Sequence, residues 1–233
     1  MARIPFITAV LFSLSATAAG AQEPCPRPVS SYTLESAKEH LVELVEGEDA
    51  DPHTAAGGPR VSGFVSTLLP AGDSCSRLEE GEDRQVVLEE LIRFSADQSA
   101  GLHRGVMRAT SVILQLSRDK YGLDVPVEAL TYALEEGATE VTRDITLASL
   151  LRRVDIPEIH DLLLDRARAP RGPPRFPDLP EVIVERAYFS LGAESPFRAA
   201  LEEHPDQIKN PRARCLVEER GARHRAPGPP PCP

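Results

Sequence analysis

In TEVTRDITLASLLRRVDIPEIHDLLLDRAR, residues 139–168, apolar side chains recur every three or four positions, as they do along one face of an α-helix. The first such face comprises Val141, Ile145, Ala148 and Leu151, and the second comprises Ile159, Leu162, Leu163 and Ala167. Asp155-Ile156-Pro157 separates the two faces, and Pro157 suits the first turn of a new helix, where its nitrogen needs no intrahelical partner. The stretch therefore predicts two helices joined as a hairpin.

Similar amphipathic segments lie on both sides of this stretch. Their apolar stripes begin near Leu34, Val61, Val87, Leu102, Val127, Val182 and Phe197, and a short amphipathic segment follows at 211–220. Thr33 is a suitable N-cap for the first of these helices, and Gly122 and Gly137 suit helix ends. The strict alternation that marks a half-buried strand is absent from the sequence. The sequence predicts an all-α protein of stacked helical hairpins.

The helical segments also show weak internal repetition. At an offset of 41 residues, Glu140-Val141 matches Glu181-Val182 and Ser149-Leu150 matches Ser190-Leu191, and at an offset of 35 Val106-x-Arg108 matches Val141-x-Arg143. On these residues, the region 100–204 resembles the HEAT or armadillo class of α-helical repeat proteins. The resemblance implies an α-solenoid that serves as a scaffold for protein binding. An irregular helical bundle is the alternative, because the offsets differ and the Pro-rich stretch 169–180 interrupts the array.

The first 21 residues have the composition of a secretory signal peptide. Arg3 precedes an apolar run from Ile4 to Leu14, and Ala19-Gly20-Ala21 fits a cleavage site before Gln22. The apolar run is shorter than the roughly 20 residues that a membrane-spanning helix needs. We therefore expect a secreted or periplasmic protein with no membrane span. Its expected parts are an N-terminal helical hairpin region at 22–78, a helical array at 79–220 and a flexible Pro-rich tail at 221–233.

Charge is concentrated in the first part of the chain. The net charge is −10 at pH 7, and residues 22–100 contain 16 acidic against 6 basic side chains. This balance argues against general nucleic-acid binding, because a protein that binds phosphates needs a basic surface to neutralise them.

Four cysteines in an exported protein indicate disulfide bonds, and four cysteines allow three pairings. If the helices that begin near Leu34 and Val61 pack antiparallel, Cys25 and Cys75 flank neighbouring helix ends. This geometry favours a Cys25–Cys75 bridge, and a Cys215–Cys232 bridge would then hold the tail. Metal binding by the cysteines is disfavoured because no Cys-x-x-Cys motif occurs and no histidine lies at ligand spacing from them.

Basic side chains cluster around the second helix of the opening hairpin and the Pro-rich stretch that follows it. Arg166 and Arg168 fit the end of a helix, where positive charge complements the dipole. Arg152, Arg153, Arg171 and Arg175 are the candidate partner contacts. They could meet an acidic partner, an anionic lipid headgroup or the acidic N-terminal half of the chain itself. The alternative is that they are solvated or serve only the fold.

The sequence contains no motif for a reaction or a cofactor. A nucleophile elbow, a phosphate-binding loop, a dinucleotide fingerprint and a zinc-protease motif are all missing, and His160 has no second histidine one helical turn away. We therefore predict no catalytic residue, no cofactor and no metal site, and we expect an exported, non-enzymatic module that binds a protein partner. An enzyme or metal-dependent protein whose site is assembled from distant residues, and an envelope-stabilising structural protein, are the alternatives.

Overall fold

The computed structural model describes residues 31–46, 57–71, 75–116 and 121–223, and the fold within these ranges consists of α-helices joined by turns and loops. The helices are α1 (Leu34–Glu46), α2 (Gly57–Leu68), α3 (Arg84–Ala96), α4 (Ala100–Leu116), α5 (Val127–Glu135), α6 (Glu140–Leu151), α7 (Pro157–Arg168), α8 (Leu179–Ser190), α9 (Pro196–Glu203) and α10 (Pro211–Arg223). The described ranges contain no strand, only an isolated parallel bridge between Tyr32 and Leu78. The prediction of an all-α fold is confirmed.

The helices are arranged in two layers. Sequential helices pack as the pairs α1/α2, α3/α4, α5/α6, α7/α8 and α9/α10. Each even-numbered helix also contacts the next even-numbered helix, from α2 to α10, and each odd-numbered helix contacts the next odd-numbered one. The protein is therefore a stack of helical hairpins in which each hairpin packs on its neighbours, as the sequence predicts.

The predicted boundary between hairpins is wrong by one helix. The opening stretch was expected to fold as a hairpin of α6 and α7, but α6 packs on α5, α4 and α8, and α7 packs on α8, α5 and α9. Residues 152–156 form the turn between them, which carries the chain from the even-numbered layer to the odd-numbered layer. The sequence could not show this, because an apolar stripe indicates that a helix packs but does not name the helix against which it packs.

The apolar face predicted for α6 is also wrong. Val141 is 51% exposed and Ala148 is exposed, and of the four predicted residues only Leu151 is buried. The buried face of α6 lies beside it and consists of Thr142, Arg143, Thr146, Leu147, Leu150 and Leu151. Two threonines can be buried there because their hydroxyls have partners: Thr146 Oγ1 donates to the Thr142 carbonyl at 3.0 Å, and Thr142 Oγ1 lies 3.1 Å from Thr139 Oγ1.

The predicted stripes of α2, α3 and α7 form part of the core. All the stripe residues of α2, α3 and α7 are buried, namely Val61, Phe64, Val65, Leu68, Leu69, Val87, Leu88, Leu91, Ile92, Ser95, Ile159, Leu162, Leu163 and Ala167. Local signals at helix starts are confirmed as well. Thr33 Oγ1 accepts the Ser36 N–H at 3.2 Å at the start of α1, and Pro157 is the first residue of α7.

The Pro-rich segment before α8 is held against the stack by arginines. The guanidinium of Arg143, which is buried, donates to Asp178 Oδ1 at 3.0 Å and lies over the Phe176 ring, 4.9 Å from its centre. Arg175 donates to the carbonyls of Glu136 and Ala138, at 3.0 and 2.7 Å, just beyond the end of α5. Residues 169–178 are neither helix nor strand, as the sequence predicts, but Leu179 and Pro180 already belong to α8. The segment is an integral part of the packed structure.

Candidate functional site

A groove of about 790 Å³ lies along the even-numbered layer, between α4, α6 and α8. Its apolar lining consists of Val112 from α4, Val141, Ile145, Ala148 and Leu151 from α6, and Phe189 from α8. The helical stripe that the sequence assigns to the core of α6 thus lines this groove. An apolar face at helical spacing is present as predicted, but Val141 and Ala148 on it are exposed.

The groove concentrates the exposed apolar surface of the described residues. Among the described residues, four large apolar side chains are strongly exposed. Three of them line the groove: Phe189 at 84%, Val141 at 51% and Val112 at 44%. The fourth, Val86 on α3, lies outside the groove. Single exposed apolar residues are ordinary, but a cluster of them in a depression is typical of a binding surface.

Arginines surround this apolar surface. Arg104, Arg108, Arg152, Arg153 and Arg186 line the groove, against one acidic side chain, Asp144. Arg186 is paired with Asp144 at 3.1 Å, and Arg153 donates to the Ser111 carbonyl and to Gln115 Oε1, at 3.1 and 2.8 Å. These two guanidinium groups are therefore engaged within the fold.

The other three arginines of the groove are exposed. Within the part of the chain that the structure describes, Arg104, Arg108 and Arg152 form no ion pair or side-chain hydrogen bond. Arg104 and Arg108 lie one turn apart on α4 and so face the same side of that helix. The groove carries local positive charge in a chain whose net charge is −10.

A smaller depression of about 520 Å³ shares part of its lining with the groove. It shares Asp144, Arg186 and Phe189 with the groove and adds Tyr188 and Arg220. The exposed Phe189 thus lines both depressions.

The structure brings together two of the four arginines that the sequence singles out as partner contacts. Arg152 and Arg153 line the groove. Arg171 lines a different depression, of about 690 Å³, beside Arg168 and Lys209. Arg175 binds backbone carbonyls beyond the end of α5. Partner contact by these arginines stays a prediction, and only the first pair lies beside the exposed apolar cluster.

Each predicted disulfide would join a cysteine within the described residues to a cysteine outside them. Cys75 and Cys215 are the two cysteines within the described ranges, and neither is a free thiol. Cys25 and Cys232 lie outside the described residues. The pairing of Cys25 with Cys75 and of Cys215 with Cys232 therefore stays a prediction.

A polar cluster that the sequence did not reveal lies in the core. His103 on α4 is completely buried, with Nδ1 2.9 Å from Ser95 Oγ on α3 and Nε2 2.8 Å from Thr146 Oγ1 on α6. Burial lowers the pKa of His103 to about 4, because the imidazolium is poorly solvated there. With no exposed surface on any of the three side chains, this cluster joins three helices and offers no access to a substrate.

His160 lies at the contact between α7 and α9. Its ring is partly exposed, lies edge-on to Phe197 with ring centres 5.5 Å apart, and places Nδ1 3.3 Å from Asp161 Oδ1. Across the described ranges, no group of three or more His, Cys, Asp and Glu side chains is placed to hold a metal ion.

Several residues of the groove were not predicted from the sequence as site residues. The sequence predicts an apolar stripe of Val182, Ile183, Ala187, Tyr188 and Leu191 in α8, and Phe189 falls outside it. An aromatic residue on the polar side of an amphipathic helix was therefore the available signal. Arg104 and Arg108 also gave a signal, since arginines at positions i and i+4 place two positive charges on the same face of a helix. The contribution of Arg186 depends on how α8 packs beside α6, and no local pattern carries that information.

Comparisons with models of protein families, with curated proteins and with solved structures find no match to this chain. None of the helices within the described ranges is both long enough and apolar enough to cross a membrane.

Proposed function

We propose that this protein is an exported, non-enzymatic interaction module of the HEAT-like class that binds a protein partner in the groove between α4, α6 and α8. The observation that carries the proposal is the gathering of Phe189, Val141 and Val112, all strongly exposed, in one depression. An exposed aromatic ring beside aliphatic side chains, with arginines around them, has the composition of interface hot spots.

The regular relation between even-numbered helices supports the HEAT-like part of the proposal. At the offset of 41 residues noted in the sequence, Thr142 and Arg143 of α6 correspond to Ile183 and Val184 of α8, and all four are buried. Between α4 and α6 the matching offset is 37 rather than 35, because Arg104 then corresponds to Val141, and both line the groove. Equivalent positions of neighbouring helices thus share the same burial or line the same groove, as expected of a repeat array.

Export is supported by the leader-like residues 1–21 and by the cysteines. Cys75 and Cys215 are not free thiols, and cysteines of this kind are usual in oxidising compartments. Expression with the native N-terminus, followed by sequencing of the exported protein, tests this part: the chain should begin at Gln22. An uncleaved product that is retained inside the cell would contradict it.

Affinity capture that compares groove variants tests partner binding. The immobilised chain 22–233 is incubated with the exported fraction of the source organism, in parallel with the variant Phe189→Asp. We expect at least one protein to be retained by the wild type and lost with the variant, because a buried carboxylate opposes an apolar contact.

Val86→Asp provides the matched control, since Val86 is half-exposed and lies on α3 outside the groove. It should retain the same proteins as the wild type. Retention of an identical set of proteins by the wild type and both variants would show that the groove is not the binding surface and would overturn the proposal.

A further inference from the structure

We infer that the groove binds an acidic segment of a partner protein, one that carries an apolar side chain among its carboxylates. This inference rests on the proposed function and specifies the chemistry of its partner. Two observations carry it, the excess of arginine over acid around the groove and the exposed apolar surface between those arginines.

The charge of the groove indicates the sign of the charge that the partner carries. Five arginines and one aspartate line it, and Arg104, Arg108 and Arg152 are exposed with no ion pair among the described residues. Carboxylates match guanidinium groups in shape as well as charge, because two parallel N–H groups can donate to the two carboxylate oxygens. Carboxylates spaced along an extended or helical segment could reach Arg104 and Arg108 on α4 and Arg152 after α6.

The apolar surface defines the second requirement. Val112, Val141, Ile145 and Ala148 line the groove, and the exposed ring of Phe189 stands at its side on α8. A purely acidic segment would leave this surface in contact with water, whereas a leucine or phenylalanine on the segment would cover it. Burial of such an anchor is the usual source of affinity, while the surrounding charges provide specificity.

The net charge of the chain favours a short acidic segment over an extended polyanion. A nucleic acid or an anionic membrane would bring many negative charges close to a protein of net charge −10. The groove's arginines act locally, because charges farther apart than a Debye length, about 8 Å at physiological ionic strength, are screened from each other. A segment lying within the groove experiences the arginines more than the acidic remainder of the protein.

Selection from a random peptide library tests the partner chemistry without presupposing a sequence. Displayed peptides are selected on the immobilised chain 22–233, and those that still bind Phe189→Asp are removed. We expect the groove-dependent peptides to be rich in Asp and Glu around at least one Leu, Ile, Phe or Trp. Groove-dependent peptides without an acidic excess, or the absence of any groove-dependent peptide, would overturn the inference.

Fluorescence anisotropy of one selected peptide measures the contributions of individual residues. Arg108→Glu should weaken binding at least about fivefold, as expected when one exposed attractive charge becomes repulsive. Phe189→Ala should weaken it about tenfold or more, as for the loss of an aromatic anchor. Binding should also weaken as salt is raised.

Lys209→Glu provides the matched charge reversal, since Lys209 is exposed and lines a different depression. It should alter the affinity by less than roughly twofold, because a charge outside the groove is largely screened from a ligand that lies within it. Equal losses with Lys209→Glu and Arg108→Glu would show that overall charge, rather than the groove, governs binding, and would overturn the inference.

The competing class of ligand is an anionic membrane. Sedimentation with phosphatidylglycerol vesicles should leave the wild-type chain in solution, and groove-dependent sedimentation would overturn the inference in favour of a lipid surface. The inference and the proposed function can fail separately. Capture of a partner that depends on Phe189, together with groove-dependent peptides that lack acidic residues, would retain the function and reject the partner chemistry.

Discussion

At the residue scale, His103 illustrates how a polar side chain can join three helices. Its two ring nitrogens lie within hydrogen-bond distance of Ser95 on α3 and Thr146 on α6, and the side chain is completely buried. A neutral imidazole can donate with one nitrogen and accept with the other, so both contacts can be made without charge. The neutral ring is favoured because the site is buried, and this links folding to pH.

We predict that His103 makes the protein less stable in mild acid. Its pKa is lowered to about 4 in the fold from 6.5, so the unfolded chain binds more protons between these values. The contribution is fully present above pH 6.5 and is lost as pH falls towards 4, amounting to about 2 kcal/mol between pH 7 and pH 5. Urea denaturation at the two pH values measures it.

The variant His103→Gln should show a smaller loss of unfolding free energy between pH 7 and pH 5, because it has no titrating group at this position. The same pH dependence in wild type and His103→Gln would show that other groups govern acid sensitivity.

Two phenylalanines provide a second prediction at this scale. Phe197 is completely buried, whereas Phe189 is 84% exposed. Phe197→Ala should lower the free energy of unfolding by about 3–5 kcal/mol, because it removes a large core side chain and leaves a cavity. Phe189→Ala should change it by less than about 0.5 kcal/mol.

Chemical denaturation of the two variants beside the wild type measures the difference. A large loss of stability with Phe189→Ala would mean that this ring supports the fold, and its exposure would then not indicate a binding role. A small effect on stability would agree with a role of Phe189 in partner binding rather than in folding.

At the scale of the helix, the contact between α2 and α4 depends on a glycine. A Cβ atom added to Gly105 would lie 2.5 Å from Val61 Cβ and 3.0 Å from the Gly58 carbonyl oxygen. The absence of a side chain at this position allows the two helices to approach closely. A Cβ atom added to Gly63, on α2, would have no atom within 4 Å apart from its own helix and chain neighbours.

Substitution of these two glycines by alanine should have effects of opposite sign. Gly63→Ala should stabilise the fold by up to about 1 kcal/mol, since alanine favours a helix more than glycine does. Gly105→Ala should destabilise it by about 1–3 kcal/mol, because the gain in helix propensity is outweighed by overpacking. Thermal and urea unfolding compare the two variants, and stabilisation by Gly105→Ala would contradict the close packing of α2 on α4.

Some features of the helices could be predicted from the sequence, and others could not. Local signals predicted the helices, the break before Pro157 and the buried stripes of α2, α3 and α7, because these depend on residues a few positions apart. The face of α6 was misassigned because Thr142 and Thr146 are buried with hydroxyl partners, one of them His103 on another helix. The groove could not be predicted, since it depends on which surface of α6 its neighbours leave uncovered.

At the scale of the whole molecule, disulfides would connect the described stack to the remaining parts of the chain. We predict bridges between Cys25 and Cys75 and between Cys215 and Cys232. Each would restrict the unfolded chain, and loss of one typically costs about 2–5 kcal/mol in a small secreted domain.

Proteolysis of the exported protein under non-reducing conditions, followed by mass spectrometry, identifies the linked peptides. Free cysteine peptides after alkylation without reduction, or a Cys75–Cys215 linkage, would contradict the prediction. Thermal unfolding with and without reductant then measures the contribution of the bridges to stability.

The packing of each hairpin on its immediate neighbours has a consequence for the rate at which the chain folds. Most helix contacts join segments that are close in sequence, so little loop entropy must be lost before a hairpin can find its neighbour. A hairpin that has emerged during synthesis could settle on the preceding one without waiting for the C-terminus.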